Sequence, residues 1–321
     1  MEYPLVSALV LCYNQAPYVV ECLEAIKAQE YPNLELLIND DASKDDSVAV
    51  IQSWLSKNSI PHRLFRNETN QGICRSLNNL VRHSRGKYLS GIASDDVWLP
   101  GKLRTQVEML ERLPEKVCLV YSDALQMDQH GNLLPGKFIE VDGRHHNSEP
   151  MPEGNVQLAL WRGNFIAPMS TLIRRQCLER VGPYDESLFA EDWDMWLRLS
   201  RHYDFAYSPV LSAKYRIVTT SATRANFGRL VDDMCRTCLK HLKSGELEPE
   251  VFQAAATKLH ALASNSFIQK SARHKQNLVE AMKYRPTAGM FLRCLLAWSG
   301  LDANGFQRMR SLLRREAPAE S

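Results

Sequence analysis

The chain has 321 residues, 45% of them hydrophobic, which is enough to bury a large core, and its formal net charge is only +2. That balance argues against a nucleic-acid partner, and no apolar run reaches the ~18–20 residues that a membrane-spanning helix needs. The charge is uneven: residues 225–321 hold 15 Lys and Arg against 9 Asp and Glu, whereas residues 1–224 hold 24 against 28. A mildly acidic main domain over 1–224 and a basic extension over 225–321 are therefore expected to meet different partners.

The opening Met1-Glu2-Tyr3-Pro4 lacks the charged-then-apolar pattern of a signal peptide. Eight scattered cysteines fit reduced thiols, so a cytoplasmic protein is expected. Val6 to Tyr13 is a continuous apolar run of strand length, ended by Asn14. Pro17 starts a helix with Val20, Leu23, Ile26 and Ala28 at helical spacing. Leu34 to Ile38 is a second buried strand closed by Asn39-Asp40-Asp41, and Asp45 to Lys57 is its helix, capped by Ser43 or Asp45. His62 to Phe65 is a short strand, and Gly72 to His83 a third helix. Lys87 to Ile92 is a strand running into Ser94-Asp95-Asp96, Lys102 to Arg112 is helical, and Val117 to Tyr121 is strand again. Alternation of this kind predicts an α/β fold with a mostly parallel sheet flanked by helices. Ligands of such sheets sit beyond the carboxyl ends of the strands, where the acidic clusters fall.

Each cluster has its own chemistry. Asp40 and Asp41 can accept hydrogen bonds from a base or a ribose, although a helix cap and turn would also use them. Tyr13, at the tip of the first strand, can stack on a base. Asn70-Gln71-Gly72 leads into a helix whose N–H groups can face phosphate, with helix capping as the plainer alternative. Asp95 and Asp96 are adjacent carboxylates that repel unless solvated or neutralised. A Mg²⁺ or Mn²⁺ ion held by one or two carboxylates and diphosphate oxygens would neutralise them and stabilise a departing nucleoside diphosphate. Glu191-Asp192 opens an apolar-faced helix, where a carboxylate can take a proton from an acceptor hydroxyl or merely suit the helix dipole. Cys235-x-x-Cys238 with His241 raises a zinc reading, but without a second Cys pair buried thiols are favoured.

In chain order these residues resemble the family 2 glycosyltransferases, inverting enzymes of the GT-A (nucleotide-diphospho-sugar transferase) fold, over roughly residues 4 to 220. The similar segments are Leu9 to Asn14 with Gln15-Ala16-Pro17-Tyr18, Asp40-Asp41-Ala42-Ser43-Lys44-Asp45, Asn70-Gln71-Gly72, Arg85-Gly86-Lys87-Tyr88 and Ser94-Asp95-Asp96. Trp98-Leu99-Pro100, Lys102-Leu103, Asn164-Phe165-Ile166 to Arg174-Arg175, Val181 to Glu186 and Glu191-Asp192-Trp193 follow. The resemblance implies a nucleotide-sugar-binding half over 1–115 and an acceptor half over 116–224. It implies nucleotide-sugar contacts at Tyr13, Asn14, Asp40, Asp41, Asn70, Gly72 and Asp95. It further implies a divalent metal (Mn or Mg) on Asp96 with Asp95, and catalysis by Asp192, the general base, with Glu191. The implied activity is inverting hexosyl transfer from a nucleotide-diphospho-sugar, UDP by default with GDP and dTDP open, to a glycan or lipid-linked acceptor in polysaccharide synthesis.

Two departures stand out. Ala93 occupies the place of a third acidic residue, and Val218 that of a metal-contacting His after Tyr215-Arg216, with His202 or Ser221 as substitutes. They keep open the alternative of a degenerate relative that binds nucleotide-sugar or a partner without turnover. Specificity is expected in the weakly patterned stretch Gln126 to Gly163, including His145-His146 and Trp161. In the extension, a helix from about 226 carries Leu230, Met234, Cys238 and Leu242 on one face, Gly245 and Pro249 break it, and a second runs from Val251 to about Ser271. Met290-Phe291-Leu292, Leu295-Leu296 and Trp298 then lie among Arg293, Arg308, Arg310, Arg314 and Arg315. That mix suits peripheral contact with the inner face of a membrane, or equally a helix packed on the rest of the protein.

Overall fold

The computed structural model describes residues 3–140, 150–218 and 226–299. The chain divides into two compact units, Met1–Ser221 and Ala222–Ser321.

The first unit opens with β1 (Val6–Cys12), α1 (Val19–Lys27), β2 (Leu34–Asp40), α2 (Ser47–Ser56), β3 (His62–Arg66), α3 (Ile73–His83) and β4 (Tyr88–Ala93). β3, β2, β1 and β4 lie side by side, all parallel. β1 and β2 are buried almost throughout, which is why they read as unbroken apolar runs rather than alternating ones. The register sets Cys12 opposite Asp40 and Leu11 opposite Ala93, so the ends of β1, β2 and β4 finish at one level.

β5 (Val97–Trp98), α4 (Lys102–Arg112), β6 (Val117–Met127), β7 (Leu133–Lys137), α5 (Gln157–Arg162), β8 (Leu172–Arg174), α6 (Arg175–Val181), α7 (Asp192–Ser200) and β9 (Asp204–Arg216) complete the unit. Among the described residues the sheet has nine strands in the order β3-β2-β1-β4-β8-β6-β9-β5, with β7 paired to β6. β8 runs antiparallel to both neighbours, and β6 and β9 are parallel. The sheet is therefore mixed and mostly parallel, as the sequence predicts.

β6 runs six residues beyond the predicted end at Tyr121. The polar pair Ser122-Asp123 hid the continuation. In the structure Ser122 Oγ donates to Ser212 Oγ at 2.6 Å, and the buried Asp123 carboxylate accepts the Ala124 and Ile139 N–H groups. Lys102 is similarly disguised. Its ammonium is buried and donates to Ser90 Oγ (2.7 Å), Gln106 Oε1 (2.9 Å) and the Thr171 carbonyl (3.0 Å), holding α4 against β4 and β8. Burial without a carboxylate partner drives its pKa well down.

Gly86 marks a close approach between strands. A Cβ there would stand 2.6 Å from both the backbone N and Oγ of Ser7 and 2.7 Å from the Tyr88 carbonyl. Only glycine fits.

The second unit contains α8 (Phe227–Lys243), α9 (Pro249–Ile268), α10 (His274–Tyr284) and α11 (Ala288–Ser299). The predicted break at Gly245 and Pro249 falls between α8 and α9, with Gly245 at φ 73°. Asp232 joins three of these helices. Its buried carboxylate accepts from Ser271 Oγ (2.6 Å), Asn277 Nδ2 (2.7 Å) and the Arg273 N–H (3.1 Å). Cys235 and Cys238 are buried as thiols. Burial raises Cys235 to about 12 and pushes Cys238 well above the ordinary thiol value, against thiolate chemistry. Among the described residues no helix is long and apolar enough to cross a membrane.

Candidate functional site

The acidic clusters converge because the strands that carry them end together. Beyond β1, Asn14 turns back with φ 54° and Ala42, beyond β2, has φ 64°. Left-handed geometry at a non-glycine residue costs roughly 1–2 kcal/mol, so the surrounding bonds must hold it. Asn14 N–H donates to Ser43 Oγ at 2.9 Å, and Asn14 Oδ1 accepts the Lys44 N–H at 2.7 Å. Asp40 anchors the same turn, accepting the Ser43 N–H at 3.0 Å and its hydroxyl at 2.5 Å. Tyr13 stands beside this turn with its side chain 43% exposed.

Asp41 reaches sideways instead. Its carboxylate accepts Asn67 Nδ2 (2.7 Å), the Gln71 N–H (2.7 Å) and the Gly72 N–H (2.8 Å). The Gln71 and Gly72 amides, read from sequence as phosphate donors, thus have an internal acceptor. Gly72 holds φ 85° and ψ 164°, which requires glycine. Asn70 is exposed at this loop. The α2 cap position is Asp46, which makes no side-chain cap bond, so neither Ser43 nor Asp45 is the cap; Asp45 Oδ1 accepts the Ser47 N–H at 3.0 Å from one residue further out.

Asp95 and Asp96 follow β4. Asp96 is 3% exposed and its Oδ1 accepts the Arg216 N–H at 2.9 Å. Asp95 accepts Gln15 Nε2 at 3.3 Å. Burial raises the Asp95 carboxyl, its own N–H and the Arg216 guanidinium offsetting part of the rise. Burial and then the charge of Asp95 push Asp96 well up. Arg216 is the cation beside them. Its Nε donates to the Asp95 carbonyl at 2.8 Å, Nη2 pairs with Glu21 at 2.5 Å, and its guanidinium lies 4.8 Å from the Tyr18 ring centroid.

Among the described residues no three His, Cys, Asp or Glu side chains are grouped as a metal cage. Two adjacent oxygen-donor carboxylates, each disfavoured as an anion by burial, nevertheless suit a hard divalent ion that takes its remaining ligands from diphosphate and water. A bound cation would reverse the upward shift of both groups.

Asp192 opens α7. Its Oδ2 accepts Asn164 Nδ2 at 2.8 Å and its Oδ1 the Trp193 N–H at 2.7 Å. Burial, and then the charge of Asp192, push Glu191 up to about 8. At neutral pH Glu191 is therefore held mostly in its neutral form. Trp193 Nε1 donates to the Leu160 carbonyl, and its ring meets Trp161 edge-on at 5.4 Å. Trp161 is thus core beneath Asp192 and not an exposed specificity residue. His145-His146 and Ser221 lie outside the described residues. His202 precedes β9, whose start pairs with Val117 and whose end pairs with Met127 beside the aspartates. That separation is roughly 30 Å along β6, so His202 does not substitute for Val218.

Asn78, on α3, ties this region to a segment far along the chain. Asn78 Nδ2 donates to the Tyr184 carbonyl at 2.9 Å and its Oδ1 accepts the Tyr184 N–H at 2.8 Å. Cys74 Sγ donates to the Leu188 carbonyl at 3.4 Å, and Glu191 and Asp192 are close enough to act on that thiol. The Asn70–Gly72 loop and the Glu191–Asp192 turn are therefore neighbours. Asp95 and Asp96 belong to the other flank, held by Gln15 and Arg216.

A mostly parallel sheet with carboxylates at its strand ends and a second acidic turn facing α3 defines a sugar-nucleotide-handling class of fold. The model of the family described as Glycosyl transferase family 2 matches residues 7–182, and the chain belongs to that family. It is a glycosyltransferase that moves a sugar from a nucleotide-sugar. An uncharacterised glycosyltransferase of Rickettsia prowazekii is 27% identical over 247 residues, covering 76% of this chain and 74% of the relative. Among solved structures, the 1–349 fragment of TarS from S. aureus in complex with UDP-GlcNAc superposes with a TM-score of 0.65 at 14% identity, covering 87% of this chain and 81% of that one. A mannosyltransferase of Pyrobaculum calidifontis in complex with GDP-Man and Mn²⁺ gives 0.59 at 19% identity, covering 93% and 87%. These structures share the GT-A fold with this chain.

Proposed function

We propose that the protein is an inverting hexosyltransferase in which Asp192 is the general base and Asp95 and Asp96 form the donor's diphosphate site. The observation that carries this reading is the start of α7, where Asn164 fixes Asp192 at 2.8 Å and burial raises the neighbouring Glu191 to about 8. A neutral Glu191 leaves Asp192, oriented by Asn164, as the group placed to accept a proton. Asp192 accepts the proton of the acceptor hydroxyl as that oxygen attacks the anomeric carbon. The bond from that carbon to the diphosphate breaks on the opposite face, and the nucleoside diphosphate leaves with the bonding pair. Glu191, protonated at neutral pH, donates a hydrogen bond instead of accepting a proton.

Tyr13 stacks on the base, Asp40 or Asp41 accepts from it, and Asp95 accepts from the ribose. Asn14, Asn70 and Gly72 shape the donor's rim. Asp96 with Asp95 would hold Mg²⁺ or Mn²⁺, whose chemistry is to stabilise charge on the departing diphosphate. The TarS complex with UDP-GlcNAc supports UDP as the first donor to try, and the Pyrobaculum complex supports GDP and Mn²⁺. The acceptor is a glycan or lipid-linked hydroxyl, and the setting is cytoplasmic polysaccharide synthesis.

The test is nucleoside diphosphate release from UDP-, GDP- and dTDP-sugars by wild type and Asp192→Asn. The substitution should leave donor binding intact and cut turnover by about 10²–10⁴-fold. An unchanged rate would remove Asp192 as the base. Nucleotide binding without release from any donor would favour the non-catalytic alternative.

A further inference from the structure

α11 is apolar on both of its faces. Met290, Leu296 and Ala297 are buried on the side packed toward α9 and α10. Phe291, Leu295 and Trp298 are 55%, 53% and 69% exposed. Their spacing of four and three residues puts them in one stripe along the helix. An outward apolar stripe of this size on an otherwise packed helix marks an interaction surface.

The charge around the stripe identifies the partner. From His274 to Ser299 the sequence contains Lys275, Lys283, Arg285 and Arg293 against one acidic residue, Glu280, which pairs with Lys283 at 2.7 Å. Lys275 Nζ lies 5.2 Å from the centroid of the Trp298 ring, so a cation stands against the stripe itself. A second copy of this surface would oppose like charges at the rim. A surface that is apolar within and anionic at its edge accepts the stripe and the cations together.

We propose that α11 is a docking face for an anionic lipid surface, with Phe291, Leu295 and Trp298 at the acyl boundary and Lys275 among the phosphates. A helix of 12 residues is about 18 Å long, so it lies in the interface and does not cross it. The inference stands apart from the catalytic reading, because lipid binding requires neither donor nor metal.

The test is co-sedimentation of the full chain with vesicles of phosphatidylcholine alone, or with about a third of the lipid replaced by phosphatidylglycerol. The mixed vesicles should carry the protein down, the neutral ones much less, and added salt should release it. Changing Phe291, Leu295 and Trp298 together to Ser should lower the partition at least about tenfold with an unchanged circular dichroism spectrum. Lys275→Gln, a milder change, should lower it about fivefold on the anionic vesicles alone. Absence of sedimentation, or equal binding to both vesicles, would overturn the proposal. So would a dimer in velocity sedimentation that the triple variant dissolves in a protein without affinity for lipid.

Discussion

Replacing Arg216 by Met should destabilise the first unit by about 3–5 kcal/mol, and the structure shows where that figure arises. The guanidinium makes two short bonds, to the Asp95 carbonyl at 2.8 Å and to Glu21 at 2.5 Å. Its reach to the Asp128 and Gln129 carbonyls, at 3.3 and 3.5 Å, counts for little. The Asp95 bond is part-buried and charge-assisted, worth ~1.5–3 kcal/mol. The Glu21 carboxylate is half exposed, so its pair adds at most ~1 kcal/mol. The rest comes from Asp95 and Asp96, which would keep their burial and lose the cation that opposes it. Met preserves the aliphatic packing, and the backbone N–H at position 216 still reaches Asp96. Urea unfolding followed by tryptophan fluorescence suits the test, since Trp54, Trp98, Trp161, Trp193 and Trp196 all lie in the first unit. With the cation gone both carboxyls rise further, so nucleotide binding in Mn²⁺ should fail at a higher pH on acidification. A loss below ~1 kcal/mol with an unmoved pH profile would refute this reasoning.

Gly86→Ala should cost about 3 kcal/mol in the same urea assay, because the new Cβ would meet the Ser7 backbone N at 2.6 Å, which has no flexible end to yield. A wild-type midpoint would mean that β1 and β4 separate more easily than their register suggests. Glu191→Gln gives a pH signature. A folded pKa of about 8 against the ordinary 4.5 means that the stability from the neutral form is whole below 4.5 and is lost as pH rises through 8. Gln cannot ionise. Wild type and variant should therefore melt alike near about pH 5, with the variant higher at about pH 9. A gap independent of pH would contradict the assignment of a protonated Glu191.

The first half of the fold was legible because β1 and β2 are buried on both faces and their helices keep apolar periodicity. Reading failed where polar residues are buried and satisfied by distant partners. Ser122 and Asp123 broke the apolar run of β6 although Ser212 and the Ile139 N–H complete them. At the site, Asp95, Asp96 and Asp192 were visible as carboxylates in suspicious places, but their supports were not. Arg216 and Gln15 act from 121 and 80 residues away in sequence. Asn78 carries no local signal of its role, because its partner Tyr184 is 106 positions downstream. Trp161 fell in the stretch expected to set specificity, but it is buried, with α5 packed on α7. Local pattern carries backbone periodicity, whereas tertiary hydrogen bonds leave no periodic trace.

Calorimetric titration of UDP, GDP and dTDP, with and without Mn²⁺, into wild type and Asp96→Ala tests the central claim most directly. The account predicts that one nucleotide binds in a metal-dependent manner and that the variant, folded by circular dichroism, loses that dependence. Folded wild type that binds none of the three, or an Asp96→Ala variant that binds as wild type does, would contradict it.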